Sequence, residues 1–269
     1  MNGFVLSLKS EFYKSRKTLA FWAAILLPFL LLLFTSVGYY ANSEKLINAP
    51  GMVNWFRFAG VPLGVMGTLL LPMFVIFIAY SVNSIEHKAD SWKTLFSLPI
   101  SKWAVYSAKL IYASLLIALY LSLFLIFTVV LGNLLGTLKP TQLHFADYHM
   151  ESLLIQRYIK LFLSSLGILS IQFLLSLLWS NFLKPMGVGF ICTIVGSILV
   201  AVNWKYVYLF PYASPSLTTR SSMSAMPGRK PGAIDTTVEI FTDNIYVSLI
   251  VFAIVFVAGF YIVQKKSVK

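Results

Sequence analysis

Of the 269 residues, 58% are hydrophobic and only 11% are charged, which leaves too little polar surface for a soluble fold of this length. The composition therefore identifies an integral membrane protein. The net charge of +12 would suggest nucleic acid in a soluble chain, but Lys and Arg cluster here beside apolar segments, so no nucleic-acid partner is expected.

Residues 3–17 open the chain with Phe4, Leu8 and Phe12 at four-residue spacing, while Lys9, Lys14, Arg16 and Lys17 fall mostly off that stripe. The pattern predicts an amphipathic helix lying in the membrane interface. The apolar segment 18–40 that follows is far longer than the ~7–15-residue core of a signal peptide, and no A-x-A-like site follows it. It is expected to remain as a membrane anchor.

A bilayer core ~30 Å thick needs about 20 apolar residues of helix. Six segments qualify, at 18–40, 60–82, 104–131, 161–179, 186–203 and 245–263. The third is long enough to tilt or project. Pro28 and Pro72 lie inside spans and are expected to kink them. Residues 41–59 and 133–157 read as ordinary connectors. The stretch 204–215 carries Trp204, Tyr206, Tyr208, Phe210, Pro211, Tyr212 and Pro215, a density of aromatics that suits a re-entrant element in one leaflet. The Pro/Gly-rich residues 227–232 read as a surface turn. The predicted fold is an all-α integral membrane protein of six spans, a single transmembrane domain over residues 1–269.

Basic residues set the orientation. With the N-terminus inside, the cytoplasmic side carries eleven Lys/Arg against three acids, and the opposite side nine against six over longer loops. Short basic segments mark the inside, so both termini are expected in the cytoplasm.

Catalytic machinery is missing from the pattern. There is no G-x-x-x-x-G-K-[ST] loop for ATP, no G-x-S-x-G and no H-E-x-x-H. The one cysteine, Cys192, lies in an apolar segment and rules out a disulfide framework. His144, Asp147, His149 and Glu151 are the best metal candidates, but as a helix they do not share one face, and ordinary polar loop residues account for them. The spans at these bounds hold no Asp, Glu or His, and Lys109 is their one basic residue. Ion relays need such groups, so ion-coupled transport is disfavoured. Gln172 is read as a hydrogen-bonding group between helices. The pairs Gly60/Gly64 and Gly132/Gly136 are read as packing positions within the subunit.

The segment 86–102 is the distinctive feature. Glu86 closes the second span, and Asp90, Trp92, Leu95, Phe96, Leu98 and Pro99 follow before Ile100-Ser101-Lys102 enters the third. Trp92, Leu95, Phe96 and Leu98 give an apolar face suited to a groove on a soluble partner, with Lys88, Asp90 and Lys93 as rim charges.

With the helix before the first span, the Glu at the end of the second, the Leu-Pro-Ile-Ser-Lys corner, and the aromatic stretch before the sixth, the chain resembles the type-2 family of ABC-transporter permeases. The resemblance implies the membrane subunit of an ATP-driven exporter in a bacterial cytoplasmic membrane. Its partners would be a separate ABC ATPase subunit, which binds ATP and Mg, and a second permease, identical or related. No cofactor is implied in this chain. The small permeases of lantibiotic and bacteriocin immunity are similar, which implies a peptide or other amphipathic substrate. A channel-like or structural membrane protein with no motor is the alternative.

Overall fold

The computed structural model describes residues 3–47, 49–88, 99–224 and 238–265. All regular elements among them are helical. Helix α1 (Gly3–Ser15) precedes α2 (Leu19–Ala41). Helix α3 (Gly51–Val65), a π-helical turn (Met66–Leu70) and α4 (Leu71–Lys88) run on as one rod. Helices α5 (Lys102–Leu138), α6 (Glu151–Leu178), α7 (Leu183–Ala201), the short α8 (Ser214–Ser224) and α9 (Asp243–Lys265) complete the chain. Among the described residues six rods are long and apolar enough to cross a membrane, as the hydropathy pattern predicts.

The termini of these rods have local causes. Thr18 accepts from the Phe21 amide (3.5 Å) and Ser101 from the Ala104 amide (3.2 Å), so hydroxyls cap α2 and α5. The rods alternate in direction. One end of the bundle carries α1 and the termini at Leu19, Lys102, Leu178 and Leu183; we refer to it as the α1 end, and to the other as the far end.

Several rods outrun the hydropathy. The second begins at Gly51 rather than residue 60, the third continues to Leu138 rather than 131, and the fourth begins at Glu151 rather than 161. Residues 41–59 and 133–157 are thus largely helical, and not connectors. A rod of 37 residues is ~55 Å long, well beyond a ~30 Å hydrocarbon core. The extra turns are held by side chains rather than by lipid. Trp55 donates its indole N–H to the Phe145 carbonyl (2.9 Å) and stacks on the Phe145 ring at 4.5 Å. Asn54 donates to the Leu143 carbonyl (3.0 Å). Gly132 and Gly136 pack inward beneath these rings: a Cβ on Gly132 would lie 2.3 Å from Trp55, and one on Gly136 3.0 Å from Phe145.

The π-helical turn is explained by Pro72. In the π register residue 72 should donate to the Gly67 carbonyl, but proline has no N–H. The Ser216 hydroxyl of α8 supplies the missing donor at 3.0 Å, and Ser197 of α7 approaches the neighbouring Thr68 carbonyl at 3.4 Å. Gly67 also makes room for α8, since a Cβ there would lie 2.1 Å from the Thr219 side chain. Gly67 sits near the middle of the second rod, so α8 reaches about halfway through the bundle.

Residues 204–215 do turn back into the bundle, though differently from the aromatic pattern. Trp204 and Tyr206 are exposed, while Tyr212 is buried with its hydroxyl 2.8 Å from the Gln172 amide. The deepest part is the hydroxyl-rich α8, whose Ser214, Ser216, Thr218 and Thr219 are all buried. Hydroxyls can enter here because they bond to helix carbonyls, which burial would otherwise leave unsatisfied. Residues 227–232 lie outside the described residues.

Candidate functional site

At the α1 end, four charged side chains from three helices close into a ring. Lys109 lies two turns inside α5. Its ammonium donates to Glu86 Oε2 of α4 (2.7 Å), to Glu11 Oε2 of α1 (3.0 Å) and to the Val82 carbonyl (3.1 Å). Lys14 of α1 bridges the opposite oxygens, Glu86 Oε1 at 3.0 Å and Glu11 Oε1 at 3.2 Å. Each carboxylate therefore accepts from both lysines, and the ring is formally neutral. Lys109, Glu86 and Glu11 have side chains only 1%, 2% and 5% exposed, whereas Lys14 at 31% faces outward. Burial of Lys14 works against its charge, but the Glu11 and Glu86 carboxylates outweigh that and raise its pKa above the usual lysine value.

Helix α1 owes its seat to this ring. Its buried positions are Ser7, Glu11 and Ser15, one stripe at four-residue spacing, and Ser15 hydrogen-bonds the Tyr112 hydroxyl of α5. The apolar residues used to predict the helix divide: Leu8 is partly covered and packs against the core, whereas Phe12 is exposed. The most buried stripe is thus polar, while Val5, Leu6, Phe12 and Tyr13 are left for the surroundings, as an interfacial helix requires.

The ring brackets the distinctive segment. Glu86 is its first residue, and Lys109 lies two turns beyond its last, Lys102. Pro99 is an exposed bend, and a Cβ on Gly3 would lie 3.3 Å from Ile100, so the start of α1 abuts the same return. Next to Glu86, the His87 ring meets the Ser176 carbonyl of α6 at 3.0 Å, and Asn83 donates to the Ser176 hydroxyl at 2.8 Å. The second rod is thus pinned to α1, α5 and α6 within two turns. Asp90, Trp92, Leu95, Phe96 and Leu98 lie outside the described residues.

Glu86, at the start of the segment, is an inward-facing member of the buried ring. The roles of Glu11 and Lys14 are invisible to motif reading, yet Lys109 carries a signal for them. A lysine inside an apolar span needs a counter-ion, and Glu11, Glu86 and Asp90 are the three acids on the same side of the predicted topology. At the far end, His144 pairs with Asp147 (3.5 Å) and His149 with Glu151 (3.9 Å) as separate couples. Among the described residues no three metal-ligating side chains converge.

A family model described as "ABC-2 family transporter protein" matches residues 7–196, from within α1 through most of α7. No curated protein and no solved structure matches.

Proposed function

The chain belongs to the ABC-2 family of transporter permeases, and on that premise we propose that it is the membrane subunit of an ATP-driven exporter, worked by a separate ATPase through residues 86–102. In this reading the α1 end is cytoplasmic, both chain termini are inside a bacterial cytoplasmic membrane, and a second permease completes the pathway. The ATPase supplies ATP and Mg binding, and this chain contributes no bond-making chemistry. An amphipathic cargo such as a peptide fits the resemblance to the small immunity-type permeases.

The observation that carries the proposal is the buried ring of Glu11, Lys14, Glu86 and Lys109. It ties both flanks of the segment to α1, α4 and α5 at once. A push delivered to residues 89–98 by a soluble partner would therefore move three helices as a unit, where a free loop would absorb it. The apolar side chains Trp92, Leu95, Phe96 and Leu98 suit a groove on that partner.

Two measurements test this. Affinity purification of the permease from its native membranes should recover a P-loop ATPase in stoichiometric amount; a permease that comes away alone would favour the motor-free alternative. In a Cys192→Ser background, a cysteine at the exposed His149 should react with an impermeant thiol reagent from outside, and one at the exposed Pro99 should not. The reverse labelling would invert the orientation.

A further inference from the structure

Buried charge is handled differently at the two ends of the bundle. At the α1 end the buried charges among the described residues, Glu11, Glu86 and Lys109, all have opposite partners. At the far end α6 buries two cations, Arg157 at 3% exposure and Lys160 at 5%. They stand one turn apart on one face of the helix, a spacing that brings Cβ atoms within about 5–6 Å. Among the described residues no carboxylate comes within ion-pair distance of either. Glu239, the acid that acts on Lys160, is exposed and beyond that range. The Arg157 guanidinium lies over the Phe56 ring at 5.1 Å, and its Nε has no hydrogen-bond acceptor among the described residues.

Such an arrangement is costly on its own. An unpaired buried ion is strongly disfavoured even after relaxation, and a contact with one aromatic ring returns only part of that cost. With one face of the guanidinium on Phe56, its edge remains to bond an anion. A planar fork beside a compact ammonium suits an oxyanion with several acceptor oxygens. Arg157 and Lys160 precede the apolar run of this helix, residues 161–178, which at about 27 Å already nearly fills a ~30 Å hydrocarbon core by itself. The pair thus sits close to headgroup depth.

We propose that Arg157 and Lys160 form a binding site for a phosphate group, borne by a lipid headgroup or by a soluble phosphate compound. The site is independent of the ATP-coupled reading, because it needs this chain alone.

The test uses the purified permease without any ATPase, in neutral detergent, with thermal stability and equilibrium binding as readouts. The probes are short-chain phosphatidylglycerol, short-chain phosphatidylcholine as a zwitterionic control for the acyl chains, and inorganic phosphate. Phosphatidylglycerol should raise Tm and bind more tightly than phosphatidylcholine. Arg157→Gln/Lys160→Gln should weaken it at least tenfold. Arg157→Lys/Lys160→Arg should keep most of the affinity, and neutralising the exposed Lys45 and Arg57 at the same end should leave it unchanged. Inorganic phosphate that competes with phosphatidylglycerol assigns the site to the phosphate group itself; failure to compete assigns it to the lipid. Equal binding of the two lipids by the native chain overturns the proposal, a result that needs no variant. So does native-like phosphatidylglycerol affinity in the double Gln variant, or in Lys160→Gln alone if the double variant fails to fold.

Discussion

Lys109 donates to Glu86 across 2.7 Å, with both side chains 2% exposed or less. The contact joins the helix that enters residues 89–98 to the helix that leaves them. Removing one partner leaves the other charged in a place water does not reach. Lys109→Met should therefore destabilise the permease by ~3–5 kcal/mol, the range for breaking a buried pair. Glu86→Gln/Lys109→Met leaves Glu11 with Lys14 and should recover much of that loss, because the remaining ring is again neutral. Unfolding of the purified variants in detergent measures the coupling between the two sites. Additive losses would show that the two residues act separately.

The pH response of the ring follows from Lys14. Its folded-state pKa is raised by the Glu11 and Glu86 carboxylates against the opposing effect of burial, so its contribution is complete below the ordinary lysine value of 10.5 and is lost as pH rises beyond it. The stability gap between the native chain and Lys14→Met should stay level from pH 7 to 10 and narrow above 10.5. The comparison cancels other groups that titrate in both proteins. A gap that narrows below pH 9 would contradict the assignment.

The π-helical turn gives a third test. Ser216→Ala takes the donor from the Gly67 carbonyl, and a buried acceptor left unpaired costs ~1–3 kcal/mol. Gly67→Ala acts by volume instead, forcing a Cβ to within 2.1 Å of Thr219 and displacing α8. Thr219→Gly in the same chain should restore part of the lost stability, whereas it should not rescue Ser216→Ala. Thermal melts of the four variants separate the two causes.

The sequence legible in these features is uneven, for physical reasons. Hydropathy finds the six spans because lipid solvates their middles. It misses the outer turns at 51–59, 132–138 and 151–160, where Trp55, Asn54 and Phe145 supply the partners that lipid supplies elsewhere. The aromatic density of residues 204–215 marks a segment that turns inward, but the deepest part is α8, whose hydroxyls look like surface composition until their carbonyl partners are seen. Lys109 is visible as an anomaly, and its neighbours Glu11 and Glu86 are 98 and 23 residues away in sequence. Only packing brings them together. Arg157 and Lys160 read as loop charges because the fourth span is read as starting after them.

The last expectation concerns the segment itself. If residues 89–98 dock into an ATPase groove, Trp92 and Phe96 are its largest anchors, and aromatic anchors at an interface centre contribute ~2 kcal/mol or more each. Trp92→Ala/Phe96→Ala should insert and fold like the native chain, since neither residue belongs to a span or to the buried ring. It should nevertheless lose its ATPase and all transport. Glu86→Gln is expected to behave differently. It weakens the ring from inside and leaves the docking face intact, so ATPase recovery should persist while transport per ATP hydrolysed falls. Pull-downs from membranes, with ATPase recovered per permease and transport measured on the same preparations, distinguish the two. Undiminished recovery with the double Ala variant would remove the docking role from these residues. A Glu86→Gln permease that transports normally would mean that the ring holds the fold together without passing on the motion.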